Sequence, residues 1–137
     1  MIKAPMSIEL IMLGCAISLV IVQIVLQASA GALGVGLPYL MGARDAPPNA
    51  AMNKYAGRIT RALHNMLETF PLFAALAVAL AVTGRTGGNA ALGAQIYVWA
   101  RLIYLPVYVA GVPVARTLVW AVSMIGIVMM LIALLAK

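Results

Sequence analysis

Four polar side chains recur at helical spacing in a segment that runs directly into an apolar stretch. They are Arg58, Arg61, Asn65 and Glu68. Their spacing of three, four and three residues places them on one face of a helix. Ionisable groups at membrane depth are unfavourable against lipid, so they normally face a protein interior and mark a functional site. Two guanidiniums, a carboxamide and a carboxylate suit a small zwitterion that has more acidic groups than amines.

A second polar face follows in a later apolar segment. Its members share one side of a helix and are Tyr97, Arg101, Tyr104 and Tyr108. Arg101 is unfavourable against lipid, and Glu68 is the only acid expected at a comparable depth. One interpretation is therefore a structural pair between Arg101 and Glu68 that joins two helices. That pair leaves the other polar residues of both faces unexplained, which favours a ligand site.

The composition indicates that the solvent of this chain is the bilayer. Of 137 residues, 65% are hydrophobic and 9% are charged, and the mean hydropathy is +1.08. A soluble domain of this size does not require so much apolar surface. The net charge of +6 comes from scattered basic residues and not from one solvated stripe. We therefore expect membrane lipid or an anionic ligand as partner, and no nucleic acid.

Four long apolar segments predict an all-α integral membrane protein, a bundle of four transmembrane helices in one domain over residues 1–137. The expected helices cover about residues 7–37, 53–82, 89–111 and 115–136. Runs this long exclude strands, because in lipid only helices and closed barrels satisfy their backbone groups. The first run is longer than the apolar region of a signal peptide, so we expect it to remain as a helix.

Loop charges predict the orientation of the bundle. One side carries Arg44, Lys54, Arg58 and Arg116, and the other carries Lys3, Arg85 and Lys137. The positive-inside rule places the first set in the cytoplasm and both termini on the opposite side.

Two motifs resemble the signature of the MAPEG superfamily, the membrane-associated proteins in eicosanoid and glutathione metabolism. The first is Arg58-x-x-Arg61-Ala62-x-x-Asn65-x-x-Glu68, followed by Phe70-Pro71-Leu72-Phe73. The second is Ala100-Arg101-Leu102-Ile103-Tyr104-x-x-x-Tyr108. Arg116 stands where that family often keeps an arginine, and the four-helix layout agrees over essentially the whole chain.

The resemblance implies a homotrimer of four-helix subunits that binds glutathione between neighbouring subunits, near the cytoplasmic end. It implies Arg116 as the catalytic residue and no metal. The glutathione-binding residues that it implies are Arg58, Arg61, His64, Asn65, Glu68, Arg101, Tyr104 and Tyr108.

Within that set, the resemblance implies a role for each group on the first polar face. Arg58 and Arg61 would hold the glutathione carboxylates by forked hydrogen bonds. Asn65 would hydrogen-bond the peptide or a carboxylate. Glu68 would accept the γ-glutamyl ammonium. His64 stands where some catalytic members carry arginine, and it is either a pH-dependent carboxylate contact or a packed residue.

The remaining roles concern the thiol. Tyr104 and Tyr108 would contact the peptide backbone or the thiol region. Arg116 would stabilise the thiolate, since a nearby guanidinium favours the ionised sulfur, which is the nucleophile.

Three functions compete at this point. The first is a glutathione transferase or peroxidase of the bacterial branch, which acts on small lipophilic substrates in detoxification. We expect it in a bacterial inner membrane, with its site on the cytoplasmic side. The alternative is a non-catalytic membrane protein of the same superfamily that binds a lipid or thiol and presents it to, or scaffolds, a partner. A small multidrug exporter is disfavoured. Such exporters resemble each other in a single glutamate within the first helix, whereas the Glu9 of this chain lies at the start of its first helix.

Overall fold

The computed structural model describes residues 5–43 and 54–136, and the regular structure within these ranges is helical. The helices are α1 (Ile8–Val35), α2 (Leu37–Met41), α3 (Lys54–Thr83), α4 (Gly88–Ala110) and α5 (Pro113–Leu135). Four of them, α1, α3, α4 and α5, are long and apolar enough to cross a membrane. The predicted all-α architecture with four spans is thus confirmed. Lys3, Arg44 and Lys137, which entered the orientation prediction, and Asn53, the expected start of the second span, lie outside the described residues.

The first span is shorter than expected and ends at a glycine. The hydroxyl of Ser7 accepts a hydrogen bond from the Leu10 N–H at 3.5 Å and caps the start of α1. Gly36 ends the helix because it has a φ of 83°, which residues with a side chain rarely adopt. Pro38 then lies in the first turn of the short helix α2, where its missing N–H is not needed. The helix predicted over about residues 7–37 thus corresponds to α1, and a separate short helix begins at Leu37.

Helices α4 and α5 pack closely through two glycines that face each other. A Cβ atom on Gly126 would lie 2.5 Å from the Gly93 carbonyl oxygen and 2.8 Å from the Tyr97 nitrogen. A Cβ atom on Gly93 would lie 2.6 Å from the Gly126 carbonyl oxygen. Small residues permit this kind of backbone approach between membrane helices. The contact therefore depends on the absence of both side chains.

Gly126→Ala should separate α4 from α5 and destabilise the bundle by about 1–3 kcal/mol, the usual range for an overpacked core. Thermal unfolding in detergent should show a lower midpoint. Gly14→Ala is the matched control, because a Cβ atom on Gly14 meets nothing within 4 Å. If the two variants have equal midpoints, the glycine contact does not hold α4 against α5.

Tyr97 joins α3 to α4 in the core of the bundle. Its ring stacks on Phe73 with centroids 4.2 Å apart and planes inclined by 14°. Its hydroxyl shares a hydrogen bond of 3.0 Å with the Thr69 hydroxyl and contacts the Met66 sulfur at 3.8 Å. Buried phenols need such a partner. Tyr97 therefore aligns the polar faces of α3 and α4 instead of offering a group to a ligand.

The end of the bundle at the start of α1 is held by two charged residues. Glu9 is fully buried, and its Oε1 accepts the Gly87 N–H at 2.7 Å, directly before α4. Arg85 donates to the carbonyls of Leu134 (2.7 Å) and Ala136 at the end of α5. A carboxylate at a helix start and a guanidinium at a helix end both complement the helix dipole. Glu9 thus has a structural role as the cap of α4.

Candidate functional site

A polar cavity of about 390 Å³ lies between α3, α4 and the first turn of α5. Seven described side chains line it: Arg61, His64, Asn65, Glu68, Tyr104, Tyr108 and Arg116. On α3, His64 and Asn65 follow Arg61 by three and four residues, and Glu68 follows Asn65 by three; the two tyrosines of α4 are four residues apart. The three helices therefore bring together seven of the nine residues that the sequence predicted.

The charges of this cavity complement an anionic ligand that also carries an amine. Arg61 and Arg116 contribute guanidiniums, and Glu68 is the one carboxylate among the described lining residues. These three side chains together carry one excess positive charge. A ligand with two carboxylates and one ammonium has the opposite net charge and the matching set of groups.

Arg116 stands at the junction of this cavity with a smaller one. The smaller cavity, of about 150 Å³, shares Asn65, Tyr104 and Arg116 with the first and adds Thr117 and Trp120. The Arg116 guanidinium lies 4.9 Å from the centroid of the Tyr108 ring, a cation–π distance. Arg116 therefore lies between the polar residues of the larger cavity and the Trp120 side chain of the smaller one.

The two tyrosines of α4 form one aromatic wall. The Tyr104 and Tyr108 rings are 5.4 Å apart and inclined by 53°. This tilted arrangement is a favourable one for aromatic pairs. It places two phenols beside the Arg116 guanidinium.

Arg101 lies behind the cavity and does not line it. Its side chain is 1% exposed, and its Nη1 donates to Asn65 Oδ1 at 2.6 Å. The rings of Tyr97 and Tyr104 lie 5.5 Å and 5.2 Å from the guanidinium. Its Nε and Nη2 have no hydrogen-bond partner among the described residues. A guanidinium can only donate, so it holds the amide oxygen of Asn65 and leaves the amide N–H groups available to a ligand.

The sequence allowed a structural pair between Arg101 and Glu68. In the structure, Arg101 bonds Asn65 instead. Helical spacing placed Arg101 and Glu68 on facing sides, but the amide of Asn65 receives the guanidinium. Glu68 instead lines the polar cavity and is exposed in the single chain.

Arg58 also lies outside the cavity lining. Its Nη1 donates to the Val109 carbonyl at 2.9 Å, and its guanidinium lies against Gly111. The ring of Tyr55 is 5.9 Å from the guanidinium carbon. The resemblance implied that Arg58 holds a glutathione carboxylate; in the structure its guanidinium lies on the last turn of α4.

Trp120 is a residue of the site that the sequence candidates did not include. It follows Arg116 by four residues and therefore lies one helical turn further along the same face of α5. That spacing is the signal that could have identified it.

Residues 12–136 match the sequence profile of the MAPEG family. No individual curated protein sequence matches the chain. Because the profile covers nearly the whole chain, including every residue of both cavities, the protein belongs to the MAPEG family, which includes glutathione transferases, peroxidases and other members. The family predicted from the two motifs is confirmed. Together with the four apolar spans, it identifies an integral membrane protein.

Proposed function

We propose that this MAPEG protein is a membrane-embedded glutathione transferase or peroxidase that activates the thiol against lipophilic electrophiles. The observation that carries the proposal is the lining of the polar cavity, which combines two guanidiniums, one carboxylate, one amide and two phenols. Glutathione has two carboxylates, one ammonium, two peptide groups and one thiol. Each of these groups finds a complementary partner in the lining.

The residues of α3 account for binding. Arg61 pairs with one glutathione carboxylate, and an imidazole N–H of His64 on the same face donates to the other. Asn65 donates its amide N–H groups to the peptide, because Arg101 holds its oxygen. Glu68 receives the ammonium. These interactions orient the peptide with the thiol toward α5.

The residues of α4 and α5 activate the thiol for its reaction with the substrate. Arg116 stabilises the thiolate electrostatically, and the thiol proton passes to solvent. In conjugation the sulfur forms a bond to the electrophilic carbon and the leaving group departs with its electron pair. In peroxide reduction the sulfur attacks an oxygen and an alkoxide departs. A second glutathione then converts the sulfenic acid to a disulfide and water. Tyr104 and Tyr108 line the same cavity as Arg116, and we assign them to the thiol region of the bound peptide.

The lipophilic partner enters from the apolar side of the site. Trp120 lines the smaller cavity together with Arg116, so an apolar indole lies in the same cavity as the guanidinium. The bilayer concentrates apolar substrates around the four spans. The thiolate and its electrophile can therefore meet at Arg116.

We also propose a homotrimer, with the site covered by a neighbouring subunit. The support is that Arg61 and Glu68 are exposed in the single chain although both belong to a span. Charged groups within a span need protein or water around them. The basic residues near this end, Lys54 and Arg116, favour a cytoplasmic site in a bacterial inner membrane. Native mass spectrometry should give trimers, and a population of monomers alone would contradict the assembly.

Glutathione should raise the thermal unfolding temperature of the detergent-purified protein. A ligand that binds only the folded state stabilises it by mass action, by about 2.7 kcal/mol at a hundredfold excess over Kd. The control ligand is a tripeptide that lacks the γ-glutamyl group. An equal shift with both ligands, or no shift with either, would overturn the proposal.

Absorbance then separates a transferase from a non-catalytic binder. A transferase should show thiolate absorbance of bound glutathione at neutral pH and turnover with chlorodinitrobenzene. A binding protein should show stabilisation without either signal.

A further inference from the structure

We infer that Arg58 is a positioning residue, which clamps the turn between α4 and α5 and thereby sets the position of Arg116. The kinetic part of this inference rests on the proposed function. Its structural part rests on the bond of 2.9 Å from Arg58 Nη1 to the Val109 carbonyl. That carbonyl belongs to the last turn of α4, where no further helical N–H follows. A cation at a helix end also complements the dipole of α4.

Gly111 makes room for this clamp. Its φ of 80° lies in the left-handed region, which favours glycine, and its N–H donates to the carbonyls of Val107 and Tyr108. A Cβ atom at this position would overlap the Arg58 guanidinium. The turn therefore requires glycine twice, for its backbone conformation and for the space that Arg58 occupies.

The clamped turn lies between Tyr108 on α4 and Arg116 on α5, which both line the polar cavity. Tyr108 immediately precedes Val109, and Arg116 lies in the first turn of α5, where its N–H bonds to the Val112 carbonyl at 3.1 Å. The Arg116 guanidinium reaches back to the Tyr108 ring at 4.9 Å. A shift of the turn would move these two side chains relative to each other. Arg58 therefore acts on the site through Arg116.

Arginine suits this position better than lysine does. One Nη atom bonds the carbonyl while the planar guanidinium lies against Gly111 and faces the Tyr55 ring. A lysine ammonium is a point charge and reproduces the hydrogen bond without the planar packing. Arg58→Lys should consequently restore only part of what Arg58→Ala removes.

A double-mutant cycle tests whether Arg58 acts through Arg116. Arg58→Ala should lower kcat for conjugation about tenfold and change the glutathione Kd less than about threefold. The pH midpoint of the thiolate absorbance should move upward, and Arg58→Lys should bring it part of the way back. In an Arg116→Ala background, Arg58→Ala should have no further effect on kcat. Independent, multiplicative losses, or a tenfold weaker Kd in Arg58→Ala, would show a direct ligand role and overturn the inference.

Hydrogen exchange without any thiol separates this inference from the proposed function. Arg58→Ala should speed amide exchange at the Gly111 and Arg116 N–H groups. Arg61→Ala is the matched control, an arginine of the same helix that lines the cavity instead of the turn. If exchange at the turn is unchanged in Arg58→Ala, the clamp fails even in an active transferase. If exchange rises while wild type binds no glutathione, the proposed function fails and the clamp stands.

Gly111→Ala provides a second route to the same clamp, should Arg58→Ala not fold. An alanine side chain both displaces the Arg58 guanidinium and strains the backbone of the turn, so the variant should reproduce the upward shift of the thiolate midpoint. A wild-type midpoint in folded Gly111→Ala would contradict the clamp.

Discussion

Arg116→Ala should leave glutathione bound and remove most of its thiolate. Arg116 is the guanidinium at the junction of the polar cavity with the pocket beside Trp120, and a nearby cation favours the ionised sulfur. The glutathione Kd should stay within a few-fold of wild type, because Arg61, Asn65 and Glu68 remain. Thiolate absorbance at neutral pH should fall, and kcat/KM with chlorodinitrobenzene should fall at least tenfold, or about 1.4 kcal/mol of transition-state stabilisation.

Arg116→Lys serves as the control for this prediction. It keeps a positive charge on the first turn of α5 and should retain an intermediate thiolate signal. If wild type binds glutathione without any thiolate signal, and Arg116→Ala changes neither binding nor absorbance, the enzyme hypothesis is wrong. The non-catalytic binding function then takes its place.

Glu68→Gln should weaken glutathione binding itself. Glu68 is the one carboxylate among the described residues of the cavity lining, and glutamine keeps its size while removing its charge. A hydrogen bond to a charged group contributes about 1.5–3 kcal/mol, so Kd should rise about tenfold to a hundredfold. Isothermal titration in detergent measures the change directly.

A glutathione analogue without the α-amino group identifies the partner of Glu68. Wild type and Glu68→Gln should bind this analogue with similar Kd, since the ammonium that Glu68 receives is gone. If Glu68→Gln weakens both ligands equally, the carboxylate supports the cavity instead of binding the amine. That result would give Glu68 a structural role and would leave the proposed role of Arg116 unchanged.

The class of the protein and most of the residues that line its polar cavity could be predicted from the sequence, because both depend on local order along the chain. Apolar runs of span length require helices in lipid, so four spans follow from composition and length alone. The spacing of Arg61, Asn65 and Glu68 sets their direction around one helix axis. The structure places all three in the polar cavity.

Spacing does not determine what stands opposite a side chain. Arg58 lies on the same face of α3 as Arg61, but the last turn of α4 packs beside Arg58. The Arg58 guanidinium therefore bonds the Val109 carbonyl instead of lining the cavity. Arg101 shares the face of Tyr104, yet it is covered by the packed helices and donates to Asn65.

Geometry explains why the sequence predicts the direction of a side chain but not its partner. A helical repeat fixes an angle about one axis, whereas a partner depends on the relative height and crossing of two axes. Those are set by contacts such as Gly93 against Gly126 and by the turn at Gly111, which join residues far apart in sequence or reverse the chain. The sequence by itself determined a MAPEG membrane bundle and its polar faces. Only the tertiary structure decided that Arg58 and Arg101 lie outside the cavity lining, hydrogen-bonded to Val109 and Asn65.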